Sequence, residues 1–158
     1  WYIANKKFVK YLKSFDNKVE NIDYQNNLKP FIGIIINVNN FNYYVPISSP
    51  KKKHYKMKEG IDFIKIKQKD RILGVLNLNN MIPILDKDVQ LLKYKKIEQY
   101  RLFKTEKEKI MYISLLNTEL KIINSKYEEI KKMQLNYIRR KLIILIQEFL
   151  KDVVILNF

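Results

Sequence analysis

The period of the apolar positions changes about halfway along the chain. Tyr2 to Ala4 reads as a short strand, and Phe8, Tyr11, Leu12 and Phe15 then fall at i, i+3, i+4 and i+7, the spacing of one helix face, with Asn5 placed to cap it. Lys6, Lys10 and Lys13 lie off that stripe, on a side that faces solvent or a phosphate backbone. Asn17 to Lys29 is polar and irregular. "FIGIIINV" (Phe31 to Val38) then predicts a buried strand, "NNFN" a turn and "YYVPIS" (Tyr43 to Ser48) a returning strand, with Pro46 marking an edge position or a bulge. "DFIKIKQ" sets Phe63 or Ile64 and Ile66 against charged positions, and "RILGVLNL" (Arg71 to Leu78) gives a further strand before "MIPI".

Beyond Asp86 the period becomes helical. The pair of aspartates in Asp86-Lys87-Asp88 sits where a helix is expected to begin before "VQLL", and capping explains it better than a magnesium site. From Thr105 to about Lys132, Leu116, Leu120, Ile123, Tyr127 and Ile130 recur at spacings of four and three. Thr105 and Glu108 offer a capping box, and the seam is too short for a coiled coil, so the helix should pack on the sheet. The segment from Leu135 to Phe158 is unusually apolar for a last helix. The expected class is α+β: a mostly antiparallel sheet in the first half and helices in the second, forming a single domain over residues 1–158.

Composition sharpens this picture. With 47% hydrophobic residues, three glycines and four prolines among 158 residues, the chain has enough apolar content to fold and little room for long linkers. Thirty-one lysines and arginines against 16 acidic residues give a formal charge of +15. A field of that sign attracts polyanions and binds them by counterion release, which makes nucleic acid the leading partner class and an anionic membrane surface the rival. "LIILI" (Leu142 to Ile146) is far too short to span a bilayer. The opening "WYIANKKFVK" lacks the ordered regions of a secretory signal, and it lacks an initiator methionine; a cytoplasmic location is the expectation.

Candidate chemistry is narrow. No cysteine is present, so there is no disulfide, zinc-thiolate site or thiol nucleophile, and one histidine with no larger carboxylate cluster leaves little for a catalytic metal. No cofactor is expected. Gly-rich phosphate loops and the G-x-S-x-G elbow are also missing. What remains is "YYVPISSPKKKHYKMK", which gathers Ser48, Ser49, Lys51, Lys52, Lys53, His54, Lys56 and Lys58 beside Tyr43, Tyr44 and Tyr55. Cations and hydroxyls can hold a phosphate and tyrosines can stack on unpaired bases. A lysine-rich surface turn fits the same residues, and "PKKKHYK" also reads as a nuclear-import signal.

Four segments, taken in order, resemble the ToxN/AbiQ endoribonuclease toxins of bacterial type III toxin-antitoxin and phage-resistance systems. They are "KKFVKYLKSFDNKV", "YQNNLKPFIGI", "YYVPISSPKKKH" and "LGVLNLNNMIPI", covering about the first 85 residues; "LLNTELKIINSKYEEI" resembles the family's following helix, and "LIILIQEFLKDVVILNF" departs from its usual ending. The resemblance implies a strongly twisted antiparallel sheet of the Kid/MazF toxin type, packed with helices. It implies metal-independent, sequence-selective cleavage of single-stranded RNA that leaves a 2′,3′-cyclic phosphate and a 5′-hydroxyl. The implied inhibitor is a repeat-derived, pseudoknotted RNA antitoxin bound in a closed ring-like assembly, with cellular or phage mRNA as substrate and no protein antitoxin.

Residue by residue, the resemblance places Ser49 at the family's active-site serine, Lys51 at the lysine two positions on and Ser48 at a hydroxyl position. Tyr24 and Lys29 match a tyrosine and a lysine of the family, while Ile122 stands where the family can place an aromatic. These imply Ser49, Lys51, Lys29, Tyr24 and Ser48 as catalytic residues. Lys52, Lys53, His54, Lys56 and Lys58 are expected to guide RNA, His54 being also the only imidazole available for proton transfer. The alternative is a non-catalytic basic RNA-binding module, which needs the same charge but no particular Ser49 or Lys51.

Overall fold

The computed structural model describes residues 1–17, 19, 23–24, 27–28, 30–38 and 41–155, with the backbone alone at 23–24, 27–28, 31–38 and 148–155. Its elements follow the change of period in the sequence. Strand β1 (Tyr2–Ala4) leads into helix α1 (Lys6–Phe15), whose first turn is capped by Asn5 Oδ1 accepting from the Lys7 amide at 2.9 Å. Two short strands, β2 (Asp23–Tyr24) and β3 (Asn27–Leu28), pair with each other within the stretch expected to be irregular. The predicted hairpin forms from β4 (Phe31–Val38) and β5 (Phe41–Ser48), and β6 (Phe63–Gln68) and β7 (Arg71–Asn77) form a second. Strands β8 (Ile82–Ile84) and β9 (Val89–Leu91) complete an antiparallel sheet of order β6-β7-β5-β4-β1-β9, with β8 on β5.

Pro46 lies in the central strand β5, opposite Phe31 of β4. Its missing N–H is tolerated because β5 changes partner there: Asn42 to Tyr44 pair with β8, and Ile47 and Ser48 pair with β7. The proline falls in the gap between the two, and the edge position expected from sequence is replaced by a junction. A register shift between Ile32 and Ile36 on the β4 side supplies the irregularity that the proline signalled.

The helical half is two helices, α3 (Glu106–Ser125) and α4 (Tyr127–Ile155), where the periodicity predicted one run through Lys132. Thr105 Oγ1 accepts from the Glu108 amide at 3.1 Å as expected, while Glu108 Oε2 reaches the Lys104 amide at 2.9 Å, one residue before the cap. The chain leaves helical geometry at Lys126 (φ −112°, ψ 16°), so of the five seam residues Leu116, Ile123 and Ile130 stay buried while Tyr127, just past the break, is exposed. Those three pack with Val45, Ile47, Ile64, Ile66 and Leu76 into one core on one face of the sheet. A second cluster holds Val9 of α1 against Ala4, Tyr44, Ile82 and Ile84.

Several polarity expectations are corrected. Tyr11 and Phe15 are 60% and 76% exposed and stack edge-on with ring centroids 4.9 Å apart; Val9, absent from the predicted stripe, is the buried residue of α1. Asp86-Lys87-Asp88 forms a single 3-10 turn leading into β9, which pairs with β1, so "VQL" continues as strand and no α-helix starts there. The two carboxylates tie loops instead, Asp86 accepting from Asn42 at 3.0 Å and Asp88 from Asn5 at 3.4 Å.

Candidate active site and RNA-binding surface

β5 delivers Ser48 to the rim of the sheet, and the chain then runs through Ser49, Pro50 and Lys51 into a five-residue helix, α2 (Lys52–Lys56). So short a helix has no stability of its own. It is held by contacts with β6: the His54 ring lies 5.4 Å from that of Phe63, and Lys65 Nζ donates to the Met57 carbonyl at the helix C-terminus, where a cation is favoured. Lys65 is only 7% exposed, although it occupies a position of β6 read from sequence as a charged outward one. Glu59 completes the attachment, accepting from the Lys65 amide at 2.7 Å and from Lys67 Nζ at 3.0 Å. Burial pushes the Glu59 carboxyl up, but these hydrogen bonds and the charges of Lys67 and Lys126 outweigh it and hold the group below its ordinary value.

Between α2 and the end of β7 lies a cleft of about 270 Å³. Five predicted residues line it: Ser48, Lys51, Lys53, His54 and Lys58. Ser49 is exposed, next to the cleft but off its wall, and Lys52 and Lys56 are likewise exposed and off it. Tyr24 lies on β2, with its side chain outside the described residues, and Lys29 falls outside them altogether.

The opposite wall was not assigned from sequence. Asn77, Asn79, Asn80 and Asp62 complete it. Asn77, at the end of β7, donates from Nδ2 to Ser48 Oγ at 3.1 Å, a contact made possible by the neighbouring pairing of Ser48 with Val75. The Asp62 carbonyl accepts from the Leu78 and Asn79 amides at 2.9 and 3.4 Å, fixing the turn that carries the asparagines. The signal was present in "LNLNN", but a polar run after a strand reads equally as an ordinary turn.

His54 is 5% exposed and reciprocally bonded to Lys51: its amide donates to the Lys51 carbonyl at 2.8 Å, and its Nδ1 accepts from the Lys51 amide at 2.9 Å. Burial, then the charges of Lys53, Lys51 and Lys65, push the imidazole below its ordinary value, favouring the neutral ring that this acceptor role requires. Chemically the cleft offers a hydroxyl whose lone pair is already engaged by Asn77, fixed cations and amide groups. That is a set suited to binding and polarising a phosphodiester. Among the described residues no three His, Asp or Glu side chains converge as metal ligands, and no helix is long and apolar enough to cross a membrane.

The profile of the family described as "Toxin ToxN, type III toxin-antitoxin system" matches residues 1–156. The chain is 39% identical over 99 residues to Endoribonuclease ToxN of Pectobacterium atrosepticum, a match covering 58% of this chain and 57% of that protein. It is 31% identical over 97 residues to Endoribonuclease AbiQ of Lactococcus lactis subsp. lactis, covering 56% and 52% respectively. The chain thus spans about half the length of the curated relatives it matches. A solved structure described as "A processed non-coding RNA regulates a bacterial antiviral system" superposes with a TM-score of 0.74 at 30% identity, covering 91% of this chain and 85% of the other. The structure of AbiQ, described as a lactococcal anti-phage endoribonuclease of the type-III toxin-antitoxin system, shares the fold with a TM-score of 0.63 at 24% identity, covering 84% and 76%.

Proposed function

Because this chain belongs to the ToxN family of type III toxin-antitoxin systems, we propose that it is a sequence-selective endoribonuclease toxin acting on single-stranded RNA. The RNA's own 2′-oxygen attacks the adjacent phosphorus. The 2′-hydroxyl gives up its proton, the new O2′–P bond forms, the P–O5′ bond breaks and the departing 5′-oxygen takes a proton. The products are a 2′,3′-cyclic phosphate and a 5′-hydroxyl. No metal ion or cofactor takes part in this scheme; the protein holds the strand, moves protons and stabilises charge that develops on phosphorus.

The observation that carries the reading is the meeting of Ser48, Lys51 and Asn77 around one cleft, with Ser49 beside it. Ser48 Oγ accepts from Asn77, which leaves its O–H to donate to a phosphoryl oxygen. Lys51 supplies positive charge to the phosphorane-like transition state, and Ser49 bonds the scissile phosphate or orients the 2′-hydroxyl. Lys29 and Tyr24 belong to the same centre by family resemblance. Lys53 and Lys58 on the cleft wall, with Lys52 and Lys56 outside it, lead the strand in.

The same surface takes the inhibitor, a small structured RNA that closes a ring-like assembly with the toxin. The support is the net charge of +15 and the RNA-regulated system to which the 30%-identical structure belongs. Residues 1–158 act as one cytoplasmic domain on cellular or phage mRNA. Support for one domain comes from α3 and α4 packing on the same sheet that carries the site.

Incubation of the protein with A-rich single-stranded RNA in the presence of chelator tests the reading. Fragments ending in cyclic phosphate are expected. RNA binding without any cleavage would leave a non-catalytic RNA-binding module instead.

A further inference from the structure

We propose that His54 is a positioning residue for the cleavage site, its neutral imidazole clamping the backbone of Lys51 and thereby the turn that presents Ser49. This rests on the ribonuclease reading for its catalytic consequence, but not for its geometry. The reciprocal pair of bonds closes a small ring between Lys51 and His54: amide to carbonyl at 2.8 Å in one direction and amide to Nδ1 at 2.9 Å in the other. Lys51 is held in an extended conformation, φ −114° and ψ 160°, between the serine turn and α2. On its far side His54 is packed on Phe63, so the clamp is referred to β6 and through it to the sheet.

An amide N–H can be accepted only by a bare Nδ1, which places the proton of the neutral ring on Nε2. Protonation of Nδ1 would set two donors face to face. The groups around the ring work against that charge. Lys51 and Lys53 from the α2 side and Lys65 from β6 act directly on it, and Lys58 and Asp62 share the same cleft. Among the described residues, Asp62 is the only carboxylate on that cleft wall. Acidification should therefore release the Lys51 backbone and reduce cleavage before it harms RNA attraction, which more positive charge can only strengthen.

The chain contains one histidine, so its imidazole nitrogens give unambiguous signals in a ¹⁵N spectrum. At pH 7.5 the expected spectrum shows Nε2 protonated and Nδ1 bare, with a titration midpoint below that of an ordinary histidine; the opposite tautomer overturns the proposal. In cleavage assays His54→Asn sets an amide oxygen where Nδ1 lies and should stay within roughly tenfold of wild type, with a flattened acid limb. His54→Leu has no acceptor and should lose substantially more, both variants keeping RNA affinity. A proton-transfer role through Nε2 would instead cost both variants on the order of 10²–10⁴-fold, and equal loss overturns the clamp. If the wild-type protein cleaves no RNA, the ribonuclease reading fails, while the tautomer still decides the clamp.

Discussion

Asn77 Nδ2 and Ser48 Oγ lie 3.1 Å apart, joining the end of β7 to the end of β5 across the mouth of the cleft. The bond fixes which way the serine hydroxyl points. Asn77→Ala removes a contact worth about 1 kcal/mol and should lower single-turnover cleavage by roughly five- to tenfold. Asn77→Asp should lose more, because a carboxylate turns the Ser48 proton toward itself and opposes the phosphate. Equal or greater activity in Asn77→Asp would count against the proposed direction of donation.

Ser49 is exposed, and its side chain carries no part of the core. Ser49→Ala should therefore fold and bind RNA with nearly wild-type affinity while cleavage falls by about 100-fold or more, the usual cost of losing a transition-state donor. Thermal melting and filter binding beside the cleavage assay separate these outcomes; a parallel loss of affinity would make Ser49 a binding residue.

Lys52, Lys53, Lys56 and Lys58 should act through counterion release. Each lysine replaced by glutamine should lower the slope of log K against log salt by about 0.7 for a single strand, for each phosphate contact it makes. Affinity measured across a salt series checks this. An unchanged slope in the fourfold variant would move the RNA path to another face.

Glu119 of α3 is buried, 4% exposed, and burial pushes its carboxyl up to about 7. The folded state then keeps the proton to near neutral pH, while the unfolded chain releases it near 4.5. Stability from this group is fully present below pH 4.5 and is lost as pH rises toward 7, by on the order of 3 kcal/mol. Melting curves from pH 5 to 9 should show the decline in wild type and a flatter profile in Glu119→Gln. Identical profiles would show that the carboxyl is ionised in the folded protein.

Gly74 of β7 is where that carboxyl approaches the sheet: a Cβ there would lie 2.5 Å from Glu119 Oε1 and 2.8 Å from Ile47 Cδ1. Gly74→Ala should cost about 1–3 kcal/mol through overpacking. Combined with Glu119→Ala, which removes the nearest atom, the penalty should be less than additive. Denaturant unfolding of the single and double variants measures the coupling.

The β4–β5 hairpin, the strands β6 and β7 and the Asn5 and Thr105 caps were legible because each is written within a short window of sequence. The misread residues are those whose burial or exposure is set by contacts and backbone breaks that the period of apolar positions does not encode. Lys65 looks like an outward position until α2 folds over it, Tyr11 and Phe15 complete a helical period yet stay exposed and stack on each other, and Lys126 breaks a seam that period alone continues. Pro46 gave the right warning of irregular pairing, but only the change from β8 to β7 explains it. Resemblance pointed to the serines and Lys51, of which Ser48 and Lys51 line the cleft and Ser49 lies beside it. It did not point to Asn77, whose role depends on a partner 29 positions away.

The burial of Lys65 also bears on how contacts with RNA can be mapped by lysine-directed footprinting. An amine reagent should label Lys52, Lys53, Lys56 and Lys58 readily in the free protein and pass over Lys65, whose nitrogen is engaged by the Met57 carbonyl. Protection at the first four on adding RNA then reports occupancy of the proposed RNA path over α2 and into the cleft. New labelling at Lys65 reports that the serine-bearing turn has come away from the sheet, so the chain carries its own internal standard for telling a vacated surface from a dismantled one.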